Sequence, residues 1–380
     1  MPMSWHQRQR FPNRHVRTSH QPTPSPHPDV PPRRRDGPQE PPRAAGKPST
    51  MMPPGRILPP LLLLLLALSA VTPCTPQPNA TRFVCTEPTL STFPTGLPPT
   101  TTAISVEFTA LSTLGPSALR GLPRLQELHL SSNRLATLPA ALLRPVPTLL
   151  VLDLTGNLLA DLPSTIFTSS SHLQHLVLRQ NRLRALRPPW FQPLSRLSWL
   201  DLAANALAEL PPAVFHPLRS LQSLDLSHNR LAALALGSLA GLRALERLDL
   251  EGNGLETLPP AAFEPVPALR FLFLQHNELR ALPAAVFAPL HHLRVLDLAR
   301  NRLRALELPP RPPGPVLDLD ISGNPWACKC PLLALLRWAA PRLLAAHCTL
   351  CATPTALRGQ EVAAVSQAGD MGCEQHLPEH

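Results

Sequence analysis

Tyrosine is missing from this chain altogether, and aromatic residues make up only 4% of it. Mixed globular cores rely on aromatics to fill irregular space, so a core made from one residue type used many times fits this composition better. Cysteine is equally uneven, with none of the seven lying between Cys85 and Cys328. There is no H-E-x-x-H pair, no G-x-S-x-G elbow, no phosphate loop and no G-x-G-x-x-G turn. The usual marks of metalloprotease, serine-hydrolase and nucleotide chemistry are therefore lacking. The pair His291-His292 sits on a loop before a strand and reads as surface, so no catalytic residue, metal or cofactor is expected. Beyond Val71 no apolar run approaches the ~20 residues needed to cross a bilayer. The polar stretch Gln360 to His380 holds neither a stop-transfer segment nor a glycolipid-anchor signal.

What is present is unevenly placed. Residues 1–70 hold ten Arg and Lys against three Asp and Glu, leaving 25 basic and 22 acidic residues for the rest. The formal charge of +10 is thus mostly a property of the leader, and no nucleic-acid partner is expected. Residues 1–56 are rich in Pro and Arg and poor in large aliphatics, too polar to offset the entropy of folding. Arg56, an apolar stretch and the small residues Ala67, Ser69 and Ala70 follow, the layout of a secretory signal with its core over 57–70. The apolar run from Ile57 to Val71 is short for a membrane anchor. Met51 and Met52 offer a second start just ahead of it. A secreted chain in the extracellular space is the expectation.

The most specific signal is a period. Asn133, Asn157, Asn181, Asn205, Asn229, Asn253, Asn277 and Asn301 are each 24 residues apart, and Asn324 follows at 23. Leu precedes each of the eight by three and by five residues and follows it by two and by five. Phe167, Phe191, Phe215, Phe263 and Phe287 lie ten residues past an Asn. In L-x-L the alternation has period 2, so this piece is a short strand with both Leu facing inward. An Asn among apolar positions must find partners, and its amide can bridge backbone groups of neighbouring turns. The return arc holds Pro139, Pro163, Pro211, Pro259 and Pro283, which disfavour regular helix. One such unit cannot bury its apolar face alone, so units stack. Ile104, Val106, Leu111 and Leu114 occupy the Leu columns one period earlier, with Thr109 in place of Asn, and read as a capping rung.

The L-x-x-L-x-L-x-x-N-x-L consensus identifies an α/β leucine-rich-repeat solenoid, a horseshoe with a parallel β-sheet on its concave face. Its caps are expected over 74–121 and 325–373, with repeats over 122–324 between them. Cysteines at both ends of a secreted chain suggest disulfide staples, Cys74 and Cys85 before the rungs, Cys328, Cys330, Cys348, Cys351 and Cys373 after. A zinc site from Cys328, Cys330, Cys348 and Cys351 is the less favoured alternative. Asn79-Ala80-Thr81 is the only glycosylation sequon, placed between Cys74 and Cys85.

Further stretches carry a resemblance. The run Asn324 to Cys330, then Cys351-Ala352-Thr353-Pro354 and Leu357-Arg358-Gly359, resembles the C-terminal cap of extracellular leucine-rich-repeat proteins. That resemblance implies Cys328–Cys351 and Cys330–Cys373, with Cys348 left over or replacing Cys351. Met3-Ser4-Trp5, LQELHLSSN from Leu125, LRPVPTLLVLDL from Leu143 and DISGNPW from Asp320 are similar to a plasma-glycoprotein branch of the same family. The similarity spans roughly residues 74 to 370. It implies a monomeric acute-phase protein that binds transforming growth factor beta receptor components and endoglin, favours angiogenesis and binds cytochrome c. That branch carries several glycosylation sites and a single C-terminal bridge, whereas only Asn79 qualifies here and Cys330 and Cys373 add a second pair. An alternative is a scaffold or carrier subunit of a circulating or matrix complex.

A partner would meet the concave face. Positions six, four and two residues before each Asn point outward. The middle column reads His129, Asp153, Val177, Asp201, Asp225, Asp249, Phe273, Asp297 and Asp320. Six Asp of nine make a negative stripe that would steer a basic partner. The alternative is that Asp merely hydrates the face. Trp199, Phe271 and Phe273, with Val295 beside them and Arg247, Asp249 and Asp297 around them, have the composition of an interface hot spot.

Overall fold

The computed structural model describes residues 80–283, 285–306, 316–329, 332 and 342–367. Cys74, Asn79, Cys330, Cys373, the leader and most of the stretch from Leu332 to Trp338 lie outside the described residues. Strands β1 (Arg82–Cys85), β2 (Ala103–Val106), β3 (Glu127–His129), β4 (Val151–Asp153), β5 (His175–Val177) and β6 (Trp199–Asp201) run in chain order. They are followed by β7 (Ser223–Asp225), β8 (Arg247–Asp249), β9 (Phe271–Phe273), β10 (Val295–Asp297) and β11 (Asp318–Asp320). All pair in parallel, each with the next, and β13 (Arg342–Leu344) closes the sheet beside β11. From β3 to β10 the register advances by one 24-residue period per strand, as in Leu128 opposite Leu152 and Leu152 opposite Leu176. The result is a parallel solenoid of about ten turns.

The sequence pattern explains each turn. The central Leu of every strand from β3 to β11 is buried, and so are the Leu or Ile two residues on and the Leu two residues past each Asn from Asn133 to Asn301. Among the described residues the return arcs are irregular, with one four-residue helix, α1 (Pro188–Phe191), whose prolines sit at its start where no amide donor is needed. Phe191 packs on Phe215 at 5.6 Å between ring centroids and Phe263 on Phe287 at 6.1 Å. Trp190 is fully buried and donates its indole N–H to the Leu162 carbonyl at 3.1 Å.

Two polar columns hold the turns in register. Every ladder Asn is buried and uses both ends of its amide. Asn157 donates to the carbonyls of Leu130 (2.9 Å) and Leu154 (3.0 Å) and accepts from the Leu135 amide (3.0 Å). The same pattern repeats through Asn301 and Asn324. At the start, Thr109 takes over: its hydroxyl donates to Asn133 Oδ1 at 2.5 Å. The residue before each ladder position is left-handed, with φ from 53° to 68° in all ten rungs, although only Gly156, Gly252 and Gly323 are glycine. A left-handed residue with a side chain costs ~1–2 kcal/mol. Here its amide is engaged by the next rung, as in Ser132 N–H to Thr155 O at 2.7 Å and His228 N–H to Glu251 O at 2.7 Å.

The C-terminal end is stapled. Strand β12 (Trp326–Ala327) pairs with β14 (Cys351–Thr353), and Cys328 is disulfide-bonded to Cys351 with Cα atoms 5.6 Å apart. Cys351, not Cys348, is therefore the partner of Cys328; Cys348 is free and exposed. Trp326 is buried there, its indole N–H on the Ile321 carbonyl at 2.8 Å. A short helix, α2 (Val362–Gln367), buries Val362 and Val365 against this cap. At the other end Cys85 is buried and disulfide-bonded. Among the described residues no helix is long and apolar enough to cross a membrane.

Candidate functional site on the open sheet face

The face turned away from the core carries the expected columns, but its chemistry differs from an exposed acidic stripe. Each Asp of the middle column accepts, through Oδ1, the backbone amide two residues on. Asp153 takes Thr155, Asp201 takes Ala203, Asp225 takes Ser227, Asp249 takes Glu251, Asp297 takes Ala299 and Asp320 takes Ser322, at 2.8–3.1 Å. The carboxylate thus closes the end of its own strand, a local role that Asp fills readily. Asp201 and Asp249 are buried, Asp249 to 1% exposure. Asp153, Asp225, Asp297 and Asp320 are half-buried.

Crowding sets the electrostatics. Asp201, Asp225 and Asp249 stand opposite one another on three adjacent strands, which parallel pairing spaces ~4.8 Å apart. Burial first, then the charge of Asp225, push both Asp201 and Asp249 up to about 7. Burial likewise lifts Asp297 to about 6, helped by Asp320. Cations answer in part. Arg179 reaches Asp225 at 3.8 Å and Asp201 at 4.0 Å. Arg247 donates to Asp249 Oδ2 at 2.8 Å while its guanidinium lies 4.2 Å over the Phe273 ring.

That last contact corrects the aromatic patch. Phe273 does not project into solvent; it is buried to 8% exposure, covered by Arg247. Phe271 and Val295 are half-buried. Of the aromatics on the strands, Trp199 is the exposed one, at 41%, in the middle of the sheet; Phe108, just past β2, is exposed as well. Trp199 stands beside His175 on β5, whose ring burial holds below its ordinary range, with Val151 and Val177 close by on the same face. Val151 and Val177 are half-buried, as Phe271 and Val295 are, so Trp199 on β6 is the most exposed apolar side chain of this set.

One group was not foreseen from the columns. Glu107, just past β2, converges with His129 of β3 and Asp153 of β4; their ligand atoms lie within 4.8 Å of one another. Glu107 accepts from the hydroxyls of Ser131 (2.6 Å) and Ser105 (2.8 Å). The hydrogen bond to Asp153 holds the His129 imidazole above its ordinary value against the effect of burial. Burial pushes Asp153 up, but the bonds from His129 and from the Thr155 hydroxyl and amide outweigh it and leave the carboxyl lowered. The reason the group was missed is that it takes residues from different columns of consecutive rungs, which a search along one column does not connect.

Comparison with known proteins agrees with the architecture. A family model described as leucine rich repeat matches residues 99–159, 147–207, 195–255 and 245–303. Two curated relatives are a phospholipase A2 inhibitor beta of Elaphe climacophora, 61% identical over 64 residues, and a phospholipase A2 inhibitor of Gloydius brevicaudus siniticus, 62% identical over 63. Each match covers 16% of this chain and 19% of the relative, so the chain aligns with about a fifth of their length. Among solved structures, a leucine-rich-repeat protein of Leptospira interrogans superposes with a TM-score of 0.52 at 28% identity, over 62% of this chain and 64% of that one. Toll in its complex with Spatzle from Drosophila gives a TM-score of 0.60 at 23% identity, over 74% of this chain and 40% of that one, a likeness of fold alone. With the model's matches spanning more than half of the 380 residues, on a sheet of one strand per 24-residue unit, the chain belongs to the leucine-rich-repeat family.

Proposed function

We propose that this chain is a secreted glycoprotein that binds other proteins through its open sheet face. Its resemblance to leucine-rich alpha-2-glycoprotein, carried by the stretches from Leu125, Leu143 and Asp320, extends the reading. The chain would then act on transforming growth factor beta receptor components and endoglin, favour angiogenesis and bind cytochrome c. The disulfide between Cys328 and Cys351 supports an oxidising, extracellular setting. The observation that carries the binding site is Trp199, an exposed indole in the centre of an otherwise half-buried face. Large aromatics in such positions dominate interfaces. Half-buried Asp225 on the neighbouring strand favours a basic partner.

The test is binding of wild type and Trp199→Ala to immobilised endoglin ectodomain and to cytochrome c. Trp199→Ala is expected to weaken at least one of them about tenfold, ~1.4 kcal/mol. Unchanged affinity for every partner removes β4–β6 as the binding site, and absence of wild-type binding removes these partners. A second reading is favoured by the 61% identity over 64 residues to a phospholipase A2 inhibitor. It makes this protein an antagonist of a phospholipase A2, and inhibition of the purified enzyme by wild type would establish it.

A further inference from the structure

The trio at the N-terminal end of the sheet is the one place, among the described residues, where carboxylates from rungs two apart lean toward a common imidazole. Strands β2, β3 and β4 are in register, Ser105 opposite His129 and His129 opposite Asp153. Glu107 lies two residues beyond Ser105, and its side chain reaches diagonally to His129. We propose that Glu107, His129 and Asp153 form a binding site for a divalent transition-metal cation, with zinc as the best-matched ion.

The donor set supports that ion. One imidazole nitrogen with two carboxylate oxygens suits zinc, whereas calcium and magnesium sites are built from oxygen alone. Three protein ligands leave the fourth position of a tetrahedral ion open to water or a partner's side chain. On a tetrahedral ion with bonds of about 2.0–2.2 Å two donors lie ~3.5 Å apart, so the three groups, which lie within 4.8 Å of one another, reach the ion by side-chain rotations of about an ångström. The ligands are also held from behind, as metal ligands commonly are. Ser131 and Ser105 hydroxyls donate to the two oxygens of Glu107, and the Thr155 amide donates to Asp153 Oδ1 at 2.8 Å. Glu127 is a near neighbour that stays outside the set: its carboxylate is 3.8 Å from His129 Nε2 but is engaged by Arg82 at 2.7 Å. On binding, the cation replaces the proton shared by His129 and Asp153, which leaves to solvent.

The competing arrangement is an imidazolium alone between the two carboxylates, with no metal. Titration of the full chain with Co²⁺, followed by visible absorption, and with Zn²⁺, followed by calorimetry, separates the two. Wild type should bind one equivalent more than His129→Gln, and Zn²⁺ should displace the Co²⁺ band. The other histidines are common to both proteins, so their contribution cancels in the difference. Ser131→Ala should retain the equivalent but weaken it about tenfold, because Glu107 loses a support. If His129→Gln disturbs the fold by circular dichroism, Glu107→Gln serves as the second ligand variant, with the same loss expected. Equal stoichiometry and affinity in wild type and a folded ligand variant would overturn the site.

Discussion

A buried side-chain amide is tolerable only when both of its ends are used, because an orphaned donor or acceptor keeps its full desolvation penalty. Asn205 shows the arrangement in one residue: it donates to Leu178 O at 2.9 Å and Leu202 O at 3.0 Å, and accepts from Leu183 N–H at 3.0 Å. Replacing it with Ala leaves the Leu183 amide without its acceptor and removes one of two donors from each of the Leu178 and Leu202 carbonyls, which keep Asn181 and Asn229. Asn205→Ala is therefore expected to destabilise the fold by at least ~2 kcal/mol, measured as a drop in the denaturation midpoint. An exposed polar residue nearby, such as Glu209→Ala, should change little. The neighbouring left-handed column is where a simple glycine rule fails: Ala204 and Gln180 take φ of 53° and 55° with side chains in place. The amide bonds to Ser227 O and Ala203 O, both 2.9 Å, offset the strain. That offset depends on the next rung, which is why position alone, and not residue type, sets this conformation.

At the scale of a strand, the important number is the spacing between neighbours. It places three Asp side by side on β6, β7 and β8. Asp201 and Asp249, raised from 3.8 to about 7, hold protons in the folded chain that the unfolded chain has released. Between roughly pH 4 and 7 the folded state binds more protons, so their contribution to stability falls as pH rises through that window. Wild type should gain thermal stability on going from pH 8 to pH 5.5 by more than the double variant Asp201→Asn, Asp249→Asn. The variant side chains keep the Oδ1 acceptor for Ala203 and Glu251 while removing the titration. Equal pH responses would show that these carboxyls titrate normally. The alternation of the sequence placed all of these side chains on the open face, and that much was legible. Their burial was not. It arises from residues on adjacent strands, with Arg247 folding over Phe273 and Arg179 drawn between Asp201 and Asp225.

For the whole repeat array, stability is a sum of rungs and of the contacts between them, so an uncapped end weakens the rungs behind it. The bond between Cys328 and Cys351 closes a separation of 23 residues at that end. Cys328→Ala with Cys351→Ala should cost about 2–4 kcal/mol. Hydrogen exchange should accelerate first on β11 and β10, and rungs at β4 should keep their protection. Uniform acceleration along the sheet would instead indicate a single cooperative unit. The architecture was the part most legible in the sequence, because the 24-residue step fixes strand, loop and register together. The exception was the closing segment: five cysteines permit several pairings, and Cys348 lies three residues from the true partner, so spacing alone could not separate them.

The Asn contacts also have a direction. Asn157 finds every one of its partners, Leu130, Leu135 and Leu154, at lower residue numbers, and the same holds for each Asn that follows. Thr109 and the Val106 carbonyl serve Asn133 in the same way. As the chain leaves the ribosome, every group that a ladder Asn requires has therefore already been made, in the preceding rungs or just ahead of it in its own. Synthesis order and assembly order coincide, so a nascent chain halted at a rung boundary carries no Asn awaiting a partner still to be made.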